Sequence, residues 1–248
     1  MAASGSPANP VFFADTGSFR AWLQAHHATA PELWVGFWKR ATGRPSITWP
    51  EAVDQALCFG WIDGDQEARA LEQAGVDVVQ FDEPAFNVFM TEVQDWGIEA
   101  LHRAIEGLKC KTAVHICYGY GIKANIDWKN SLGGEWRQYE KIFPALAKSK
   151  IGQVSLECIN SRVPMQLMAL LEGKDVLVGV IDVASDEVET PERVAQVLDE
   201  VAKYVPKEHI VACTNCGMAP MRRDIAAAKL MALGAGVALA RQRYGLAS

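Results

Sequence analysis

Beyond Asp63-Gly64-Asp65 the chain alternates helix and strand so regularly that few architectures remain open to it. Hydrophobic periodicity predicts helix 65–74, strand 76–81, helix about 97–107, strand 112–117, helix about 135–147 and strand 151–156. Helix about 164–171, strand 175–181, helix 191–205, strand 209–213 and helix about 221–242 follow. Val76 to Phe81 and Val176 to Ile181 are near-continuous apolar runs, the pattern of parallel strands covered on both faces. Thr190-Pro191-Glu192 is a strong helix start, a cap followed by proline in the first turn. Five strands each followed by a helix predict a parallel α/β architecture, either a doubly wound sheet or a barrel. In both, the chemistry gathers at the carboxyl ends of the strands.

The first 64 residues read differently, as a small α+β segment ordered helix, strand, helix. Five of the eight tryptophans lie within the first 61 residues. Thr16 or Ser18 is placed to cap the first helix, and Glu32 to Arg40 alternates like a strand. Thr48-Trp49-Pro50-Glu51 has the spacing of a capping box before a helix over Ala52 to Phe59.

A net charge of −6, with lysines and arginines scattered, supplies no electrostatic footprint for nucleic acid or an anionic membrane. The start lacks a basic region followed by an apolar core, and the longest apolar stretch, Leu230 to Ala240, is too short to span a bilayer. A cytoplasmic protein acting on small molecules is the expectation, and its six cysteines read as free thiols or metal ligands.

Four residues then stand out. His115 and Cys117 are two apart in an extended run, so they face the same way. Glu157 ends the run Val154-Ser155-Leu156-Glu157, and Cys216 lies just past Ile210-Val211-Ala212. If these runs are neighbouring parallel strands, the four side chains converge, and a mixed nitrogen, oxygen and sulfur set suits zinc better than calcium or magnesium. Cys213, in Cys213-Thr214-Asn215-Cys216, competes with Cys216 or is simply buried in its strand; Cys110 and Cys158 read as packing residues. Asp82 and Glu83 end the first strand of the alternating region, where Asp82 is suited to bind the ammonium group of an amino-acid substrate. Asp182 holds the equivalent place after Val180-Ile181. Tyr118-Gly119-Tyr120-Gly121 is too loose for a phosphate cradle, and Trp96, Trp128 and Trp136 read as packing.

Four motifs, Gln80-Phe81-Asp82-Glu83-Pro84-Ala85, His115-Ile116-Cys117, Ser155-Leu156-Glu157 and Asn215-Cys216-Gly217-Met218, occur in the order found in cobalamin-independent methionine synthase. The segment from about 65 to 248 resembles that family's carboxyl-terminal catalytic TIM-type barrel. The resemblance implies a partial (β/α)8 barrel of about five strand–helix units. It implies catalytic zinc on His115, Cys117, Glu157 and Cys216, and contact of Asp82 with homocysteine. It also implies methyl transfer from a methyl-folate or methyl-corrinoid to the homocysteine thiol, the S-methyltransferase reaction that makes methionine. Two departures accompany it. The family's Tyr-Asp-Ile-His run reads Ile181-Asp182-Val183-Ala184 here, and its Gly-Ser and His-Gly-Glu or Asp-Gly-Glu strands have no counterpart. Roughly the first three of eight barrel units are thereby missing.

In their place, residues about 10–63 resemble the start of the YdeI/OmpD-associated, or bacteriocin-protection, family. The likeness rests on Phe19-Arg20-Ala21-Trp22-Leu23, Glu32-Leu33-Trp34-Val35-Gly36-Phe37 and Ala56-Leu57-Cys58-Phe59-Gly60-Trp61-Ile62-Asp63-Gly64. A fusion of 1–64 with 65–248 is therefore expected, with open sheet edges that favour self-association. The rival expectations are a non-catalytic fusion or binding protein with a relic zinc site, and a zinc-free barrel enzyme such as the decarboxylases of similar fold.

Overall fold

The structure is a computed structural model that describes residues 5–6, 8–30, 32–57, 59, 65–87, 91, 93–116, 131–137, 139–159 and 161–246. It divides into two compact units, Met1–Ala68 and Arg69–Ser248. In the first, strand β1 (Val11–Phe12) pairs in parallel with β2 (Val35–Gly36), beside helices α1 (Thr16–His26) and α2 (Trp49–Leu57). Phe13, Phe19, Leu23, Ile47 and Ala52 form its core. The cap of α1 is Asp15, one residue before the pair expected: its Oδ1 accepts the Ser18 N–H at 2.7 Å, and Ser18 returns the bond from the third helical position. The expected strand from Glu32 to Arg40 shrinks to two residues, the length of β1, its partner among the described residues.

The second unit begins within helix α3 (Asp65–Gln73). Its strands are β3 (Val78–Asp82), β4 (Lys111–His115), β5 (Gln153–Glu157), β6 (Asp175–Ile181) and β7 (Ile210–Thr214). They form one sheet in the order β3-β4-β5-β6-β7, every pair parallel. Spatial order equal to chain order is the winding of a barrel; a doubly wound sheet reverses direction partway. This decides between the two architectures that the alternation left open. The barrel is not closed, and among the described residues β3 and β7 are the sheet's edges.

Burial follows from that position. β5 is buried at every residue, and β4 and β6 nearly so. β3 alternates, with Val78 39% exposed, and Val211 of β7 is 41% exposed. The apolar run Val76 to Phe81 is therefore half-covered rather than enclosed, because an edge strand has a neighbour on one side only.

Helices α4 (Ile98–Ala104), α5 (Tyr139–Lys148), α6 (Pro191–Val201) and α7 (Arg223–Arg243) fill the connections. Thr190 caps α6 as expected, its Oγ1 accepting the Arg193 N–H at 3.2 Å. The segment Met165–Leu171 is a 3-10 turn instead of an α-helix; Pro164 before it and Gly173 after it, at φ 80°, leave room for only two turns. Helix α7 crosses α6 so closely at Gly236 that a Cβ there would lie 2.4 Å from that of Val194. Among the described residues no helix is long and apolar enough to cross a membrane.

At the amino ends of the strands one carboxylate ties four chain segments together. Asp175 of β6 accepts from His209 Nδ1 at 2.9 Å, from Gln153 Nε2 of β5 at 3.2 Å and from Lys111 Nζ of β4 at 3.3 Å. Its pKa is held below the ordinary carboxylate value, first by the His209 hydrogen bond and then by those of Gln153 and Lys111, against the opposing effect of burial. A depressed folded-state pKa contributes stability that is present above the unfolded pKa and lost as pH falls through the folded one. Asp175→Asn is expected to lower unfolding stability by about 1 kcal/mol near neutral pH. In urea melts the gap from wild type should hold down to about pH 4 and shrink as pH falls below it; a gap that does not depend on pH contradicts the assignment.

Candidate metal centre

The parallel register carries three of the four expected ligands to one place. His115 ends β4, Glu157 ends β5 and Cys216 lies two residues past β7. One ligand atom from each falls within 4.8 Å of the other two. His115 is 3% and Glu157 1% exposed, and Cys216 is half-buried. Cys117 lies outside the described residues. A tetrahedral zinc ion, with bonds of about 2.0–2.3 Å, sets its ligand atoms about 3.3–3.8 Å apart, a triangle that side-chain rotation can close from here. The donor set fits as well. A carboxylate this deeply buried needs strong compensation, and a divalent cation between it, an imidazole and a thiolate would supply it.

Two of the three ligands are held by neighbours that sequence reasoning did not single out. Ser155, one strand over and level with His115, places its Oγ 2.9 Å from His115 Nδ1. The Cys216 loop is anchored through Asn215, itself 1% exposed. The Asn215 backbone N–H donates to Ile181 O at 2.8 Å, and its Nδ2 donates to Ile159 O at 3.0 Å. Its Oδ1 accepts from the Cys158 N–H at 3.3 Å, and Thr214 Oγ1 donates to Cys216 O at 2.9 Å. The loop is thus bound to the ends of both β5 and β6. Asn215 occupies the space above Gly179, where a Cβ would meet its Oδ1 at 2.5 Å. The only hint of this in the sequence is a glycine interrupting an apolar strand.

Cys213 stays out of the cluster. Burial pushes its thiol up to about 12, with a partly offsetting hydrogen bond from Ser155, and burial also pushes up the Cys158 thiol. Both are protonated packing residues at neutral pH, unlike a metal-bound thiolate.

Asp82 pairs in register with His115. Its carboxylate is exposed, and Oδ1 accepts from Gln80 Nε2 at 2.9 Å. The adjacent Glu83 donates its backbone N–H to His115 O at 2.8 Å, and its carboxyl is pushed up to about 7 by burial and then by the charge of Asp82. The pair forms an anionic rim that suits a cationic ligand group. Asp182 is buried and committed locally: Oδ1 accepts the Ala184 N–H at 2.8 Å, and its own N–H donates to Glu189 Oε1 at 2.8 Å. Glu189 in turn pairs at 3.0 Å with Lys229, a fully buried lysine of α7. Neither had a distinguishing sequence signal. Trp136 is buried in the core, whereas Trp128 and Tyr118–Gly121 lie outside the described residues.

Comparisons with known proteins agree with this picture. Residues 62–241 match the family described as cobalamin-independent synthase, catalytic domain, and residues 11–77 match a domain of unknown function (DUF8412). The second match does not carry the YdeI/OmpD-associated name. Methionine synthase of Sulfurisphaera tokodaii is 31% identical over 179 residues, which is 72% of this chain and 47% of that protein. Its counterpart from Saccharolobus solfataricus is 30% identical over 181 residues, 72% of this chain and 48% of the relative. The chain thus spans about half the length of the curated relatives it matches. Among solved structures, a B12-independent methionine synthase from Shewanella sp. W3-18-1, in complex with selenomethionine, superposes with a TM-score of 0.72 at 56% identity. The overlap covers 79% of this chain and 57% of that one. The putative vitamin-B12 independent methionine synthase of Listeria monocytogenes shares the fold at 14% identity and a TM-score of 0.51, over 89% of this chain and 61% of its own. Since the family match takes in most of the chain and every strand of the parallel sheet, the protein belongs to the cobalamin-independent methionine synthase family through that family's catalytic domain.

Proposed function

We propose that this chain binds zinc through His115, Cys117, Glu157 and Cys216 and transfers a methyl group to the thiol of homocysteine, giving methionine. The observation that carries the reading is the meeting of His115, Glu157 and Cys216 at the carboxyl ends of parallel strands. When bound, zinc supplies the Lewis acidity that keeps a thiol ionised near neutral pH. The chain's own residues do the rest. Asp82 and Glu83 offer carboxylates to the substrate ammonium group, and Ser155 and Asn215 hold the ligand-bearing segments. In the transfer the donor–methyl bond breaks and a sulfur–carbon bond forms. A folate donor also takes up a proton, and Ala184 stands where the family's histidine is associated with that step. A methyl-folate therefore asks more of this chain than a methyl-corrinoid does.

The same proposal takes residues 1–64 as a YdeI-like fragment and 65–248 as a partial barrel. Two family matches, over 11–77 and 62–241, and a division between Ala68 and Arg69 support the split into two parts, while the YdeI likeness rests on the amino-terminal motifs alone. A cytoplasmic setting belongs to it too, in keeping with unpaired thiols at Cys110, Cys158 and Cys213. One observation favours a second reading: among the described residues the sheet has five strands with both edges open, so a non-catalytic protein that retains the zinc site is the alternative.

Metal analysis and product analysis of the full chain separate the two. The first reading expects one zinc per chain, lost in Cys216→Ser and Glu157→Gln, and methionine formed from homocysteine with methyl-folate or methylcobalamin. Zinc without methionine selects the second. Wild-type protein with clearly less than one equivalent of zinc, unchanged by either substitution, contradicts both.

A further inference from the structure

We infer that Ser155 is a positioning residue for the metal centre: its hydroxyl accepts the Nδ1 proton of His115, so that the Nε2 lone pair is presented to the metal. The inference rests on the zinc reading above and adds one residue to it. A neutral imidazole has one N–H and one lone pair, and which nitrogen binds a metal is decided by the hydrogen bond the other makes. His115 Nδ1 lies 2.9 Å from Ser155 Oγ, and Ser155 is 4% exposed, so water does not compete freely for that contact.

A serine hydroxyl can donate or accept there, and the direction decides everything. If Ser155 donated to Nδ1, the proton would sit on Nε2 and block the metal. If it accepts, the Nε2 lone pair is left for the metal, which is the arrangement a histidine ligand needs.

The test uses the full-length zinc-loaded protein, with zinc affinity measured against a chromophoric chelator and the His115 ring nitrogens read by 15N NMR. Ser155→Ala is expected to weaken zinc binding by about ten- to a hundredfold, the usual cost of losing the partner of a ligating histidine. Ser155→Thr, which keeps the hydroxyl, should restore most of it. The Nδ1 proton should be protected from exchange in wild type and the Thr variant and exposed in the Ala variant. Packing alone would move the melting temperature without moving that proton. Ser155→Ala binding zinc as tightly as wild type overturns the assignment. So does a wild-type His115 that carries its proton on Nε2, a result that stands even if Ser155→Ala fails to fold. A wild type that binds no zinc at all overturns the metal reading itself, and this one with it.

Discussion

Parallel strands laid side by side in chain order bring all their carboxyl ends to one rim, and everything distinctive about this protein depends on that register. Asp82 stands level with His115, His115 with Ser155 and Glu157 with Gly179, so residues far apart in the chain become neighbours. The amino ends are closed by a different device, the Asp175 carboxylate shared among β4, β5, β6 and the turn before β7. One end of the sheet thus carries polar bonds that serve stability, and the other carries polar groups that suit chemistry. This division of labour is general for barrels of this type.

The buried rim also explains its own supporting cast. An imidazole, a carboxylate and a thiol in a nearly dry site cannot be left to choose their orientations, because each misplaced donor or acceptor there is costly. Ser155 and Asn215 supply the needed partners, and Gly179 clears the volume for Asn215. On the far side of β6, the Lys229–Glu189 pair holds the loop that carries Asp182. Burying such a pair rarely adds net stability; its effect here is to fix a loop at the rim.

The strand–helix alternation was legible because apolar periodicity and loop residues are local signals, and the segment 175–181 is predicted and observed with the same limits. Periodicity alone did not choose between a barrel and a doubly wound sheet, since strand order is a long-range property; the motifs shared with the family did, and the strand order agrees with them. Ligand-type residues announce themselves by identity, so His115, Glu157 and Cys216 were visible before any fold was known. Their holders are ordinary Ser, Asn and Gly residues, whose roles appear only when strands from different parts of the chain lie side by side. The α1 cap moved by one residue for a simpler reason: the carboxylate of Asp15 reaches the Ser18 N–H, and serine then takes the reciprocal place.

Among the described residues five strands make an open sheet, and the chain covers about half of its curated relatives. Whether the rim still works as a site turns on the metal. X-ray absorption at the zinc edge of the purified full chain tests this most directly, because it counts sulfur against lighter scatterers around the ion. The proposed ligand set predicts two sulfur and two nitrogen or oxygen scatterers, falling to one sulfur in Cys216→Ser. A shell of only nitrogen and oxygen, or one unaltered by that substitution, would contradict the account.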